Sequence, residues 1–282
     1  MDVNDRIGFM QGRLSPLVDG KIQAFPWSCW EAEFPLAQSL GIRLMEWTLD
    51  HERLEENPLM TGPGRERIKE LCAACGVAIP SLTGDLFMQA PLYKAQGRAR
   101  EALVEEMRKV VRACGDLGIA FVVMPLVDNG RLEDHGQEDA LVGELERLVP
   151  LLSDCAVRVV FESDYAPSGL ERFIGRLDPA HFGVNLDTGN SAAMGLDWEE
   201  ELSRYGHRIL NVHIKDRLFK GTTVPLGQGA AALPETVVAL EKAGYAGNYI
   251  LQTARAQDGD HAGVLAGFRD MLAGWMDCGA GE

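Results

Sequence analysis

The chain has 282 residues, 46% hydrophobic and 24% charged, a globular balance with enough apolar material for a sizeable core. Its formal net charge of -15, with no Lys/Arg-rich tract, argues against a nucleic-acid partner, because such proteins cluster basic side chains against phosphates. No run reaches the ~20 apolar residues of a membrane span, and Asp2 and Asp5 stand where a signal peptide carries positive charge, so the expectation is a cytoplasmic protein without a membrane partner.

The chain then alternates short apolar runs with amphipathic stretches. A strand is expected over residues 6–10, a helix over 30–40, a strand over 44–47 and a helix over 64–75. Cys72 and Cys75 form a CxxC inside that helical run; no second pair lies at zinc-finger spacing, and both read as helix packing. Further strands are expected over 78–82, 121–125, 157–162, 182–187, 209–214 and 248–252, with helices over 95–117, 138–153, 235–242 and 262–276. Gly41, Gly76, Gly118 and Gly244 end helical runs as left-handed caps, Asp260 caps the last helix with His261 in its first turn, and the tail CGAGE reads as frayed.

Strand and helix in eightfold alternation indicate a parallel sheet with crossover helices, and near-continuous apolar strands such as AFVVMPLV suit burial on both faces. The expected fold is a single (β/α)8 TIM barrel, one α/β domain over residues 1–282. A doubly wound open sheet is the rival, but GFMQGRLSP after the first strand contains no GxGxxG phosphate loop.

Barrel sites are built where strands end, at the C-terminal face. There the late strands offer Glu162 in VVFESD, Asp187 in FGVNLDTGN, His213 in ILNVHIKD and Gln252 in NYILQTAR. Two carboxylates, an imidazole and an amide oxygen on consecutive strands suit one divalent metal, Mn2+ first, with Mg2+, Co2+ or Zn2+ as alternatives.

On IGFMQGRLSP, on LMEW with Glu46, and on the ES, NLDTGN, VHIKD and VPLGQG segments, the chain resembles the xylose-isomerase-like barrel group of sugar and sugar-phosphate isomerases and epimerases. The resemblance implies a Glu-Asp-His-Glu metal quartet whose two glutamates act as acid and base. Glu162, Asp187 and His213 match its first three positions, and Gln252 departs at the fourth. A carboxamide oxygen can bind a metal but has no useful basicity. The departure tilts the expectation from a two-base epimerase toward a one-base isomerase, with Glu162 as base.

In that expectation the metal chelates a carbonyl and adjacent hydroxyl of an open-chain sugar and stabilises the enediolate, while Lys215 adds positive charge or pairs with Asp216 or Glu162. Lys215, Asp216 and His261 are the candidates for a second acid/base group in place of the missing carboxylate. Glu46 and Asp85 are candidates for sugar hydroxyls, and Trp27, Trp47 and Phe87 for pocket walls. Gly227 and Gly229, in the loop RLFKGTTVPLGQGA, are candidates to present N–H groups to a phosphate beside Asp216, Arg217 and Lys220, and Arg13 and Arg255 to meet an anionic substrate end. The partner is a small carbohydrate, and homo-oligomerisation stays open. The alternatives are a lyase or dehydratase on a keto-sugar or cyclitol, and a non-catalytic sugar-binding relative. An apurinic-site endonuclease is disfavoured, since only one of six histidines falls at a strand end.

Overall fold

Eight parallel strands close on themselves: β1 (Ile7–Met10), β2 (Leu44–Thr48), β3 (Ala78–Thr83), β4 (Phe121–Leu126), β5 (Arg158–Ser163), β6 (Phe182–Asp187), β7 (Ile209–Ile214) and, as the eighth, β10 (Asn248–Leu251), which returns to β1. The computed structural model describes residues 3–280. Two further strands, β8 (Asp216–Arg217) and β9 (Thr223–Val224), form a small antiparallel hairpin in the loop after β7. The strands are apolar on both faces because helices cover the outside while facing strands pack the inside. Phe9, Met45, Leu82, Val122, Phe161, Val212 and Leu251 accordingly have no exposed surface.

Around the barrel run α1 (Glu33–Ser39), α2 (Gly62–Cys75), α3 (Asp85–Gln89), α4 (Gly97–Leu117), α5 (His135–Cys155), α6 (Pro167–Ile174), α7 (Thr188–Met194), α8 (Trp198–Tyr205), α9 (Leu233–Lys242) and α10 (His261–Ala280). In α4 the buried Met107, Val110, Val111 and Cys114 recur at helical spacing and make one core-facing stripe. The helix stops where Gly118 takes a φ of 71°. No helix among the described residues is long and apolar enough to cross a membrane.

The expected strands agree with the observed ones to about a residue at each end. The eighth ends at Leu251, so Gln252 lies just past it, its N–H donating to the carbonyl of Ile214 at 3.0 Å. Helices α3, α6, α7 and α8, each of eight residues or fewer, were not anticipated. The tail is helical through Ala280 instead of frayed, and Gly281 and Glu282, like Met1 and Asp2, lie outside the described residues.

Register sets the site. Asp187 pairs with His213 across β6 and β7, Asn185 with Asn211 two residues earlier, and Glu162 with Pro125 across β5 and β4. The seam of the barrel joins β1 to β10, with Ile7 opposite Tyr249. Arg6 stitches it from below through the carbonyls of Gly247 (3.0 Å) and Tyr245 (2.6 Å), and Arg13 from above through Thr253 (3.0 Å).

Candidate active site

At the C-terminal mouth, one carboxylate oxygen each of Glu162 and Asp187 and one ring nitrogen of His213 lie within 4.8 Å of one another, and all three residues are buried. The imidazole is fixed from both sides. Nε2 meets Glu46 Oε1 at 2.7 Å, while Nδ1 faces Glu162 Oε2 at 3.1 Å and Asp187 Oδ2 at 3.9 Å. Glu46 is in turn held by the Ser81 hydroxyl at 2.6 Å and the Asn211 amide at 3.0 Å. A carboxylate on the far ring nitrogen sets the orientation of a ligating histidine and leaves the other nitrogen for the metal.

Burial works against a charged imidazole, but Glu46 and Glu162 outweigh it and lift the His213 pKa to about 10. Surroundings that favour an imidazolium this strongly favour a divalent cation against the same oxygens by the same attraction. The donor set therefore fits a metal. Gln252 turns its amide oxygen inward, where it accepts from the Lys215 ammonium at 3.1 Å. Lys215 also donates to Asp187 Oδ2 at 2.9 Å and so bridges two of the expected ligands. This corrects the expectation of a pair with Asp216 or Glu162. Asp187 caps α7 as well, its Oδ1 accepting from the Asn190 N–H at 2.9 Å. Burial opposes its charge, yet Lys215 and His213 hold its pKa below the usual carboxylate range.

Above the centre opens a cavity of about 700 Å3 whose walls include Glu162, Lys215, Gln252, Asp85, Arg217 and Lys220. Sequence reasoning missed the amides that arrange it. Asn190 and Asn185 donate to the two oxygens of Glu162 at 2.6 and 3.2 Å, and Asn211 donates to Asn185 at 2.9 Å. Gln23, from the long segment after β1, accepts from Gln252 at 2.8 Å and donates to Asp85 at 2.6 Å. The only hint in the sequence was amide residues two positions before, or three after, a candidate ligand: Asn185 and Asn190 around Asp187, and Asn211 before His213.

Several expected substrate contacts are corrected. Glu46 is fully buried beneath His213 and serves it, out of reach of a sugar. Asp216 accepts from the N–H groups of Gly227 (2.9 Å), Gly229 (2.9 Å) and Ala231 (3.1 Å). Those glycine N–H groups are therefore spent inside the loop and do not form a phosphate cradle, and a Cβ on Gly229 would collide with Asp216. Arg255 donates to the carbonyls of Ser15 (2.6 Å) and Ile22 (3.2 Å) and stands outside the cavity lining. Arg13 does line the cavity but uses its nitrogens on Thr253, Ile22 and Gln23. Arg217 lines it too, with Nη1 2.9 Å from the Asn190 oxygen. Trp27, Trp47 and Phe87 are absent from the lining. His261 sits in the first turn of α10, which Asp260 caps through the Gly263 N–H at 2.9 Å, and lies off the cavity.

The family model for the xylose isomerase-like TIM barrel matches residues 34–273. L-ribulose-5-phosphate 3-epimerase UlaE of Escherichia coli K12 is 26% identical over 260 residues, covering 88% of this chain and 90% of that protein. The structure of the IolI protein with a bound zinc atom superposes with a TM-score of 0.72 at 16% identity, covering 98% of this chain and all of that one. D-psicose 3-epimerase from Clostridium cellulolyticum H10, solved with D-tagatose, does so with a TM-score of 0.69 at 14% identity, over 97% and 96% of the two chains. The solved structures speak to the fold alone, and the family match settles membership: the chain belongs to the xylose isomerase-like TIM barrel family.

Proposed function

We propose that this protein is a divalent-metal-dependent isomerase or epimerase of a ketose or ketose phosphate, with Glu162 as the base that removes a proton beside the carbonyl. The observation that carries the reading is the convergence of Glu162, Asp187 and His213 beneath a polar cavity large enough for an open-chain sugar. The activities named for the relatives support it, since the E. coli and C. cellulolyticum proteins are both sugar 3-epimerases.

Glu162, Asp187, His213 and the Gln252 oxygen would hold the cation, Mn2+ by the oxygen-rich donor set, with Mg2+, Co2+ and Zn2+ as the other candidates. When bound, it supplies Lewis-acid polarisation of the substrate carbonyl, which acidifies the neighbouring C–H. The chain's own residues do the rest. The amides of Asn190 and Asn185 fix the carboxylate plane of Glu162, so the base meets the substrate already oriented. Lys215 places a positive charge on the cavity wall where oxygen charge develops. Arg217 and Lys220 line the same cavity and suit a phosphate at the distal end of the sugar.

The test is a panel of ketoses and ketose phosphates in D2O with Mn2+. Deuterium should enter one carbon, and Glu162→Gln should slow that entry by about 10^3-fold at Mn2+ concentrations that saturate the variant. Loss of water from the sugar would assign a lyase instead. Intact metal binding with no exchange on any sugar would assign a non-catalytic sugar-binding relative.

A further inference from the structure

Gln252 leaves the eighth-strand side of the centre without a carboxylate, but the cavity wall carries four others: Asp85, Asp128, Glu162 and Asp164. Glu162 belongs to the centre, Asp164 is bonded to Arg131, and Asp128 is exposed at the rim. Asp85 differs from all of these. It lies just past the end of β3, 8% exposed, and its hydrogen bonds come from uncharged groups, the Gln23 amide at 2.6 Å and the Thr83 hydroxyl at 3.5 Å. Gln23 also holds the Gln252 amide, so a chain of carboxamides ties Asp85 to the position where a second carboxylate is missing.

We propose that Asp85 is the second acid/base residue of this site, and that the enzyme is a two-group epimerase despite Gln252. The proposal rests on the reading of the site as a proton-transfer centre for ketoses. Glu162 as carboxylate takes the proton from the carbon beside the carbonyl, and the C–H electron pair becomes the enediolate. Asp85 as neutral acid then gives its proton to that carbon from its own side of the cavity, re-forming the C–H bond and the carbonyl. The sugar has lost one hydrogen and gained one with inversion; Glu162 ends protonated, Asp85 ends ionised, and exchange with water restores both.

The charges around Asp85 suit this division. Asp50 beyond β2, Glu162 on β5, His213 on β7 and Arg13 after β1 face it. Burial first, then the Asp50 charge, push its pKa to about 7, against the opposing Gln23 hydrogen bond and His213 charge. Two carboxyl groups of unlike environment on one cavity are the usual arrangement of an acid and a base.

The experiment follows both half-reactions in D2O, with Mn2+ and either L-ribulose 5-phosphate or D-tagatose. Wild type should give an epimer deuterated at the inverted carbon, with a rate that falls as pH rises through about 7. Asp85→Asn should keep deuterium exchange into recovered substrate, because Glu162 still removes and returns a proton, while epimer formation drops by about 10^2-fold or more. Asp85→Glu should recover part of it. Turnover of Asp85→Asn at the wild-type rate, to any product, overturns the proposal. Should wild type be inert on both sugars, the full panel of ketoses and ketose phosphates decides the ketose reading separately, and 13C NMR of the aspartate carboxyls decides the residue. A resonance that titrates near neutrality and disappears in Asp85→Asn sustains the assignment, and titration below pH ~5 overturns it.

Discussion

Glu162 and Asp216 are both acidic residues at strand ends of the same barrel mouth, and they have opposite fates. Glu162 accepts from the side-chain amides of Asn185 and Asn190 and still borders the cavity. Asp216, fully buried, accepts from three backbone N–H groups of its own loop and is not among the residues that line that cavity. Side-chain donors orient a carboxylate and leave it usable, whereas a set of backbone donors converts it into a structural post. The partners of a rim carboxylate, more than its position, decide whether chemistry is available to it.

The strongest way to break this contrast is Asp216→Ala. Three N–H groups would lose their acceptor, and stability should fall by about 2 to 3 kcal/mol, because a donor stripped of its partner pays its desolvation. Urea denaturation reads this, and Mn2+ affinity should stay unchanged. A fall in metal affinity with no loss of stability would erase the distinction between the two carboxylates. Glu46→Gln sharpens the contrast from beneath. Glu46 touches His213 but not the cavity, so metal affinity should weaken by roughly 10- to 100-fold, measured by calorimetry. The smallest effect is expected of Gln252→Glu, which adds a charge to the centre and should tighten Mn2+ by about tenfold, roughly 1.4 kcal/mol. Unchanged affinity there would mean that Lys215, which already donates to Gln252, absorbs the added charge.

The barrel and its metal-binding candidates were legible because both depend on local signals. Each strand carries an apolar run, and each candidate ligand stands at the end of one, so counting along the chain puts Glu162, Asp187 and His213 on one rim. What was not legible depends on distance across the ring. Asn185 and Asn211 look like ordinary strand polars until register sets them side by side on β6 and β7. Gln23 belongs to a segment without a regular pattern, and its bonds to Gln252 and Asp85 span separations of 229 and 62 residues. Gly227 and Gly229 misled for a related reason: glycine spacing advertises free N–H groups, but an acceptor eleven or more residues away had already taken them.

The seam between β1 and β10 bears on how the molecule is assembled. Seven of the strands, β1 to β7, can zip to their sequence neighbours as the chain emerges, but β1 and β7 each keep an open edge until residues 248–251 arrive to bridge them. An unpaired strand edge invites pairing with another chain. Gln252, and through Gln23 its tie to Asp85, comes into place with that same closing strand. The catalytic mouth is thus completed by the step that ends the aggregation hazard, and a ribosome-bound intermediate short of this point carries both an incomplete site and a sticky flank.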